Sequence, residues 1–212
     1  MTDERIEAGF SKSRASIRLT RRRFVAALPV SLMAPDARAT DLFLLDQTHG
    51  SIVFSVEHFG TFSSKGTFPR FSGRLAIDRA RPEATTIDVT ADVAAVSIPW
   101  PDGAALLRSP EFFDVEKFPF VRFVSGKISG LDPSRFRIDG TLEIRGIQRP
   151  LVLEAKLIRA APDPAKGTEV AHFSVNGELS RAAYGMVAQP LAISDTVRLS
   201  IAARIDLPAE RK

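Results

Sequence analysis

Residues Phe136 to Arg145 read FRIDGTLEIR. Phe136, Ile138, Gly140, Leu142 and Ile144 alternate with Arg137, Asp139, Thr141, Glu143 and Arg145 without a break. A period of two marks a strand that is dry on one face and wet on the other. The same period runs outward in both directions. Upstream, Ile52, Phe54 and Val56 alternate with Ser51, Ser55 and Glu57, and Phe71, Gly73, Leu75 and Ile77 with Ser72, Arg74 and Asp78. Ile87, Val89, Ala91 and Val93 do the same against Asp88, Thr90 and Asp92, and Phe120 to Ser125 continues the series. Downstream come Leu151, Leu153, Ala155 and Leu157, then Phe173 and Val175, and finally Val197, Leu199, Ile201, Ala203 and Ile205. These make about eight strands, separated by Gly, Pro and Asp turns.

Only Asp102 to Arg108 (DGAALLR) reads as helix, and it is too short to cover a sheet. A long alternating sheet with no helical layer must bury its apolar face against itself, as a sandwich or a closed barrel. Closure removes the edges that invite aggregation, which favours an all-β, antiparallel, eight-stranded barrel. Such a barrel is just wide enough to fill with its own side chains or to hold one small ligand. Gly73, Ala91, Gly140, Ala155 and Ala203 lie on the apolar rows. They either leave volume for a ligand or mark bends that curve the sheet, and both readings stand.

The first 39 residues read as a separate object. Thr20-Arg21-Arg22-Arg23-Phe24-Val25 fits a twin-arginine export motif. The apolar run VAALPVSLM (Val25 to Met33) follows, and then Ala37-Arg38-Ala39, an A-x-A cleavage site. The run is far short of a spanning helix, and no Cys follows to carry a lipid, so no permanent membrane anchor is implied. The expectation is a leader over 1–39, cleaved before Thr40, a mature domain over 40–212, and a periplasmic location; the competing reading is a basic arm. The leader carries 8 Lys+Arg and 4 Asp+Glu, and removing these from the chain's 29 and 25 leaves 21 of each. The net charge of +4 therefore belongs to the leader. A neutral mature domain has no bulk attraction to nucleic acid, which is set aside as a partner.

Several chemistries are also set aside. The chain has no Cys, which removes disulfides, thiolate metal sites and thiol nucleophiles. His49, His58 and His172 are its only imidazoles and show no metal-ligand spacing. There is no G-x-S-x-G elbow and no phosphate-binding or dinucleotide fingerprint. Neither a catalytic cofactor nor a metal is expected.

The densest aromatic cluster is Leu107 to Phe123, LRSPEFFDVEKFPFVRF, with five of the chain's 15 Phe. Together with other motifs it carries a resemblance. Asp46-Gln47-Thr48-His49-Gly50-Ser51, followed by Ile52-x-Phe54-x-Val56-x-His58-x-Gly60, resembles the opening of the YceI-like family. Gly66-x-Phe68, Phe71-Ser72-Gly73, Leu107-Arg108-Ser109-x-x-Phe112-Phe113-Asp114, Phe118-Pro119, Phe123, Gly140-x-Leu142, Gly146, and Arg181 with Tyr184-Gly185 follow in order. Departures are Ala104 and Leu106, where the family often has Asp and His, Gly50 between His49 and Ser51, and Ala183 where an acidic residue is common.

The resemblance implies a lipocalin-like barrel that binds a polyisoprenoid lipid, such as a quinone or polyprenyl chain. Phe112 and Phe113 would cap or line one end, with Phe120 or Phe123 in the wall, since flat rings bury large area at small rotamer cost. The candidate ligand-binding set is Phe54, Val56, His58, Phe71, Val89, Arg108, Phe112, Phe113, Phe120, Phe123, Leu142, Phe173 and Leu199. The competing reading for any one of these Phe is a plug that fills the barrel. Arg108 can meet a polar head group or pair with Asp114 or Glu111, and His58 reads as a rim residue. The expected function is a periplasmic carrier or store of isoprenoid lipid, with transient membrane contact and a homodimer both compatible. The rivals are a barrel-housed isomerase or hydrolase, which needs His49 or His58 beside a carboxylate at the cavity, and a stress factor acting through its surface.

Overall fold

The computed structural model describes residues 41–78 and 81–208. The leader expected over 1–39 lies outside them. Ten strands form: β1 (Asp41–Asp46), β2 (Gly50–His58), β3 (Phe62–Thr67), β4 (Phe71–Ile77), β5 (Thr86–Asp92), β6 (Phe120–Asp132), β7 (Arg135–Ile144), β8 (Ile147–Asp163), β9 (Thr168–Ser180) and β10 (Ile193–Pro208). Among the described residues one short α-helix, α1 (Gly103–Arg108), lies between β5 and β6. All neighbouring strands pair antiparallel in one sheet of order β1-β4-β5-β6-β7-β8-β9-β10-β2-β3.

The sheet curls strongly, and β1 returns against β10 and β2 without joining their ladders. The result is an open, half-barrel-like sheet of ten strands rather than a closed one of eight. The two additional strands are its edges. β1 (DLFLLD) alternates, but its outward positions are Leu42 and Leu44, so the polar half of the pattern is missing. β3 (FSSKGT) has almost no apolar row to read, because its inward residue Gly66 has no side chain. Short length and an exposed Lys65 blunt β3 as an edge, in place of closure.

Inward rows of the long strands build one core. Ile138, Leu142 and Ile144 of β7, Leu151, Leu153 and Ala155 of β8, and Val175 of β9 are all buried in it. Outward rows are laced by ion pairs. The Arg122 guanidinium grips both oxygens of Asp88 at 2.9 and 2.7 Å, and this bond holds the Asp88 carboxyl below the usual carboxylate range.

Of the small inward residues, Ala203 borders a cavity, whereas the space beside the glycines is filled by neighbouring side chains. A Cβ placed on Gly66 would stand 2.7 Å from Cε1 of the Phe54 ring, and one on Gly140 2.6 Å from Cε2 of Phe123. Large side chains on neighbouring strands already occupy these positions. Glycine here seats aromatic rings across the pleat, as in sheets where an aromatic covers a strand glycine.

The turn from β1 to β2 is organised by Asp46. Its Oδ1 accepts the Thr48 amide (2.8 Å) and the Thr48 hydroxyl (2.6 Å), and lies 2.8 Å from His49 Nδ1. The Thr48 side-chain bond, with His49 next, lowers the Asp46 pKa to about 2. A folded pKa below the ordinary 3.8 stabilises the turn fully above that value, and the contribution fades as pH falls toward 2. A carboxyl-detected NMR titration is expected to place the Asp46 midpoint near 2, and Thr48→Ala to raise it toward the ordinary value. A wild-type midpoint near the ordinary value would refute the arrangement.

Candidate ligand cavity

Inside the curl lies a cavity of about 210 Å³. Its walls come from most strands and from α1, and its lining is almost entirely aliphatic or aromatic. The polar side chains in the lining are His58, Ser64 and Arg181, with the Trp100 indole beside them.

The aromatic cluster reaches the cavity through a folded reversal after α1. Carbonyls at the end of the helix and of the residue that follows it accept amides from beyond. Leu107 C=O accepts Phe113 N–H (2.9 Å), Ser109 C=O accepts Asp114 N–H (2.9 Å) and Arg108 C=O accepts Val115 N–H (3.1 Å). Asp114 takes a positive φ of 51° to close this turn, and its carboxylate accepts from Lys117 Nζ at 3.0 Å. The reversal drives both Phe112 and Phe113 inward, to 4% and 8% exposure. Phe113 meets Phe68 edge-on with centroids 5.8 Å apart, and Phe68 meets Phe54 at 5.4 Å. Arg145, in the β7–β8 turn, ties the segment to its neighbour by donating to Phe112 C=O (2.8 Å) and Gly185 C=O (3.1 Å).

Arg181 organises a second side. It is 5% exposed, and its guanidinium donates to four backbone carbonyls. Nε reaches Ser194 (2.9 Å), Nη1 reaches Met186 (2.6 Å) and Ala188 (2.7 Å), and Nη2 reaches Ile193 (2.8 Å). Burial pushes its pKa down and the nearby Asp195 opposes this. Segment 185–193 is wrapped around this one side chain.

The third side is aromatic. His58, 5% exposed, places Nε2 2.6 Å from Ser64 Oγ, stacks on Phe62 at 5.1 Å and meets Trp100 edge-on at 5.4 Å. Trp100 folds back over Gly103, where any side chain would collide with the indole.

Nine of the thirteen candidate residues line the cavity: Phe54, Val56, His58, Val89, Phe112, Phe113, Phe123, Leu142 and Leu199. Four do not. Phe71 is buried in the wall, packed in the core without reaching the void. Phe173 packs beside the cavity against Phe136, centroids 6.4 Å apart. Phe120 is 57% exposed, because β6 begins there with its outward row. Arg108 lies outside the lining, and of the two carboxylates expected for it, Asp114 and Glu111, the first is taken by Lys117. Among the lining residues that the pattern missed are Phe68, Ile98, Trp100 and Met186. They sit in irregular connections where no period operates; the lone Trp between Pro99 and Pro101 was the available signal.

The histidines are divided. His49 does meet a carboxylate, Asp46, but neither lines the cavity, while His58 lines it with Ser64 as its hydrogen-bond partner. His172 faces a separate outer hollow with Arg159 and Arg204. Among the described residues no three His, Asp or Glu converge as a metal site.

Residues 43–205 match the family model described as the YceI-like domain. A UPF0312 protein of Serratia proteamaculans (strain 568) is 31% identical over 171 residues, covering 80% of this chain and 88% of the relative. Burkholderia cenocepacia BcnA superposes with a TM-score of 0.67 at 18% identity, over 76% of this chain and 99% of BcnA. A polyisoprenoid binding domain from Saccharophagus degradans, implicated in plant cell wall breakdown, superposes at 0.55 and 14% identity, over 79% of this chain and 100% of that domain. At these two identities the likeness is one of fold.

Proposed function

The chain belongs to the YceI-like domain family, and on that premise we propose that it is a periplasmic binding protein holding the chain of an isoprenoid lipid, polyprenyl or quinone. It carries or stores this lipid and performs no chemistry on it. The observation that supports this most directly is the cavity itself, apolar along its walls, with its few polar groups confined to His58, Ser64, Arg181 and the Trp100 indole. The polyisoprenoid named for the Saccharophagus degradans domain of the same fold supports the ligand class, and the leader motif supports export.

Energetics set a scale. Micromolar affinity corresponds to about 8 kcal/mol. At ~25 cal/mol per Å² that needs roughly 330 Å² of apolar surface buried, before ordering costs. A cavity of about 210 Å³ is smaller than the ~300–1,000 Å³ typical of pockets for drug-sized ligands. It therefore takes the end of a long chain rather than its whole length, and affinity should rise along a prenol series and then level off.

The test is native and denaturing mass spectrometry of the protein purified from its own periplasm. A stoichiometric isoprenoid is expected; a clean apo mass that stays apo when polyprenols and quinones are offered would sink the reading. Ala203, a small residue of the lining, supplies the matched variant. Ala203→Phe is expected to lower prenol affinity at least tenfold, while costing about 1–3 kcal/mol of stability through overpacking. Unchanged affinity in a folded variant would place the ligand elsewhere.

A further inference from the structure

Three short segments meet at the His58 end of the cavity: the β2–β3 turn, residues 97–103 running into α1, and residues 185–193 running into β10. They are physically joined, since Phe59 N–H donates to Ala192 C=O at 3.0 Å and Trp100 meets His58, the residue before Phe59, with ring centroids 5.4 Å apart. Each projects large apolar side chains into solvent. Leu191 is 93% exposed, Phe59 67%, Val187 63%, Phe62 54% and Trp100 41%. Phe59 and Gln189 adopt positive φ, at 50° and 52°, so both loops hold special backbone geometry to present these side chains.

The segments are also nearly free of charge. Residues 59–62, 97–103 and 185–193 contain one ionisable side chain, Asp102, where the chain's 25% charged content would put about five. Contiguous exposed apolar surface marks an interaction site. Aromatic and aliphatic groups without a charged rim suit the interfacial region of a bilayer, where Trp and other amphipathic rings collect. Position selects the bilayer over a protein. The collar continues directly into the cavity through Trp100, which belongs to both and meets the lining residue His58 edge-on. A lipid leaving a membrane for this cavity would otherwise expose its apolar chain to water, which is unfavourable.

We propose that Phe59, Phe62, Trp100, Val187 and Leu191 form a membrane-docking collar, which seats the cavity mouth on a lipid bilayer by apolar insertion. This rests on the lipid-binding reading above. Docking is reversible, and the insertion is driven by the hydrophobic groups rather than by anionic lipid.

Trp100, the chain's single tryptophan, serves as the reporter in the full mature chain. Its emission is expected to shift to the blue on phosphatidylcholine vesicles, with or without phosphatidylglycerol, and to be quenched by brominated acyl chains, with little dependence on salt. Val187→Glu with Leu191→Glu, neither of which lines the cavity, should lower vesicle partition at least tenfold. Farnesol binding in lipid-free buffer should be unchanged in that variant. Docking is overturned if vesicles are not bound, if the double substitution has no effect, or if binding needs phosphatidylglycerol and disappears in high salt. A wild-type dimer that the substitution makes monomeric, without vesicle binding, would reassign the collar to a second copy and equally overturn it. Farnesol binding separates the two ideas: retained binding with failed docking spares the cavity reading, and docking without farnesol binding spares the collar.

Discussion

Arg181→Ala is expected to lower the unfolding midpoint by about 10 °C or more, the largest effect of any single substitution considered. The guanidinium is the shared partner of four carbonyls, on Met186, Ala188, Ile193 and Ser194. Removing it leaves acceptors unpaired, at roughly 1–3 kcal/mol for each that stays buried. Water entering the gap will re-pair some of them, so about 4–6 kcal/mol in total is a reasonable scale, out of the ~5–15 kcal/mol that stabilises most domains. Lysine cannot substitute: its single ammonium has three donors at one point, whereas these carbonyls are reached from three separate nitrogens. Arg181→Lys should therefore recover only a minor part of the loss. Because segment 185–193 is wrapped around this side chain, amide exchange at Met186 and Ile193 should accelerate beyond the global change. A midpoint shift under about 3 °C would mean that the loop holds itself and that Arg181 is incidental.

That residue also shows where the sequence was readable. Arg181 belongs to a recognisable motif with Tyr184-Gly185, yet nothing in its spacing says that the guanidinium turns inward to a set of backbone carbonyls. Carbonyls are the same at every position and leave no trace in residue identity. Strands, by contrast, are written in the alternation itself. β4, β5, β7 and β10 were legible because their inward rows face a continuous core and their outward rows face water. β1 and β3 were not, since an edge strand does not need both rows. For the cavity, period-two reasoning found wall residues such as Val56, Val89 and Leu199. It misjudged Phe173 because inward orientation does not fix depth, and a side chain at the next inward position can close the cavity instead of lining it. Phe120 fails for a different reason: parity within a Phe-rich run is ambiguous until the strand's first residue is known.

Gly140→Ala is expected to cost about 2–3 kcal/mol and to weaken prenol binding as well, from the addition of one methyl group. The backbone at Gly140 is ordinary extended strand, so the cost does not come from φ. It comes from two neighbours: the Val124 carbonyl oxygen, 2.6 Å from where the Cβ would stand, and the Phe123 ring, with Cε2 at the same distance. The carbonyl belongs to a paired strand and cannot withdraw without stretching the β6–β7 ladder. The ring can move, but Phe123 lines the cavity, and displacement sends it toward the space the ligand would occupy. Stability and affinity should therefore fall together. Adding Phe123→Leu ought to relieve the ring contact and leave the carbonyl contact, so a double-mutant cycle should show about 1 kcal/mol of favourable coupling. Gly130→Ala is the control, because a Cβ there meets nothing within 4 Å, and a methyl group in open space should be neutral or slightly stabilising. Additive losses in the cycle would mean that the ring adapts freely and that Gly140 serves only the backbone. Coupling accompanied by recovered prenol affinity in the double variant would show that this glycine makes room for Phe123 in the wall and so keeps the cavity open.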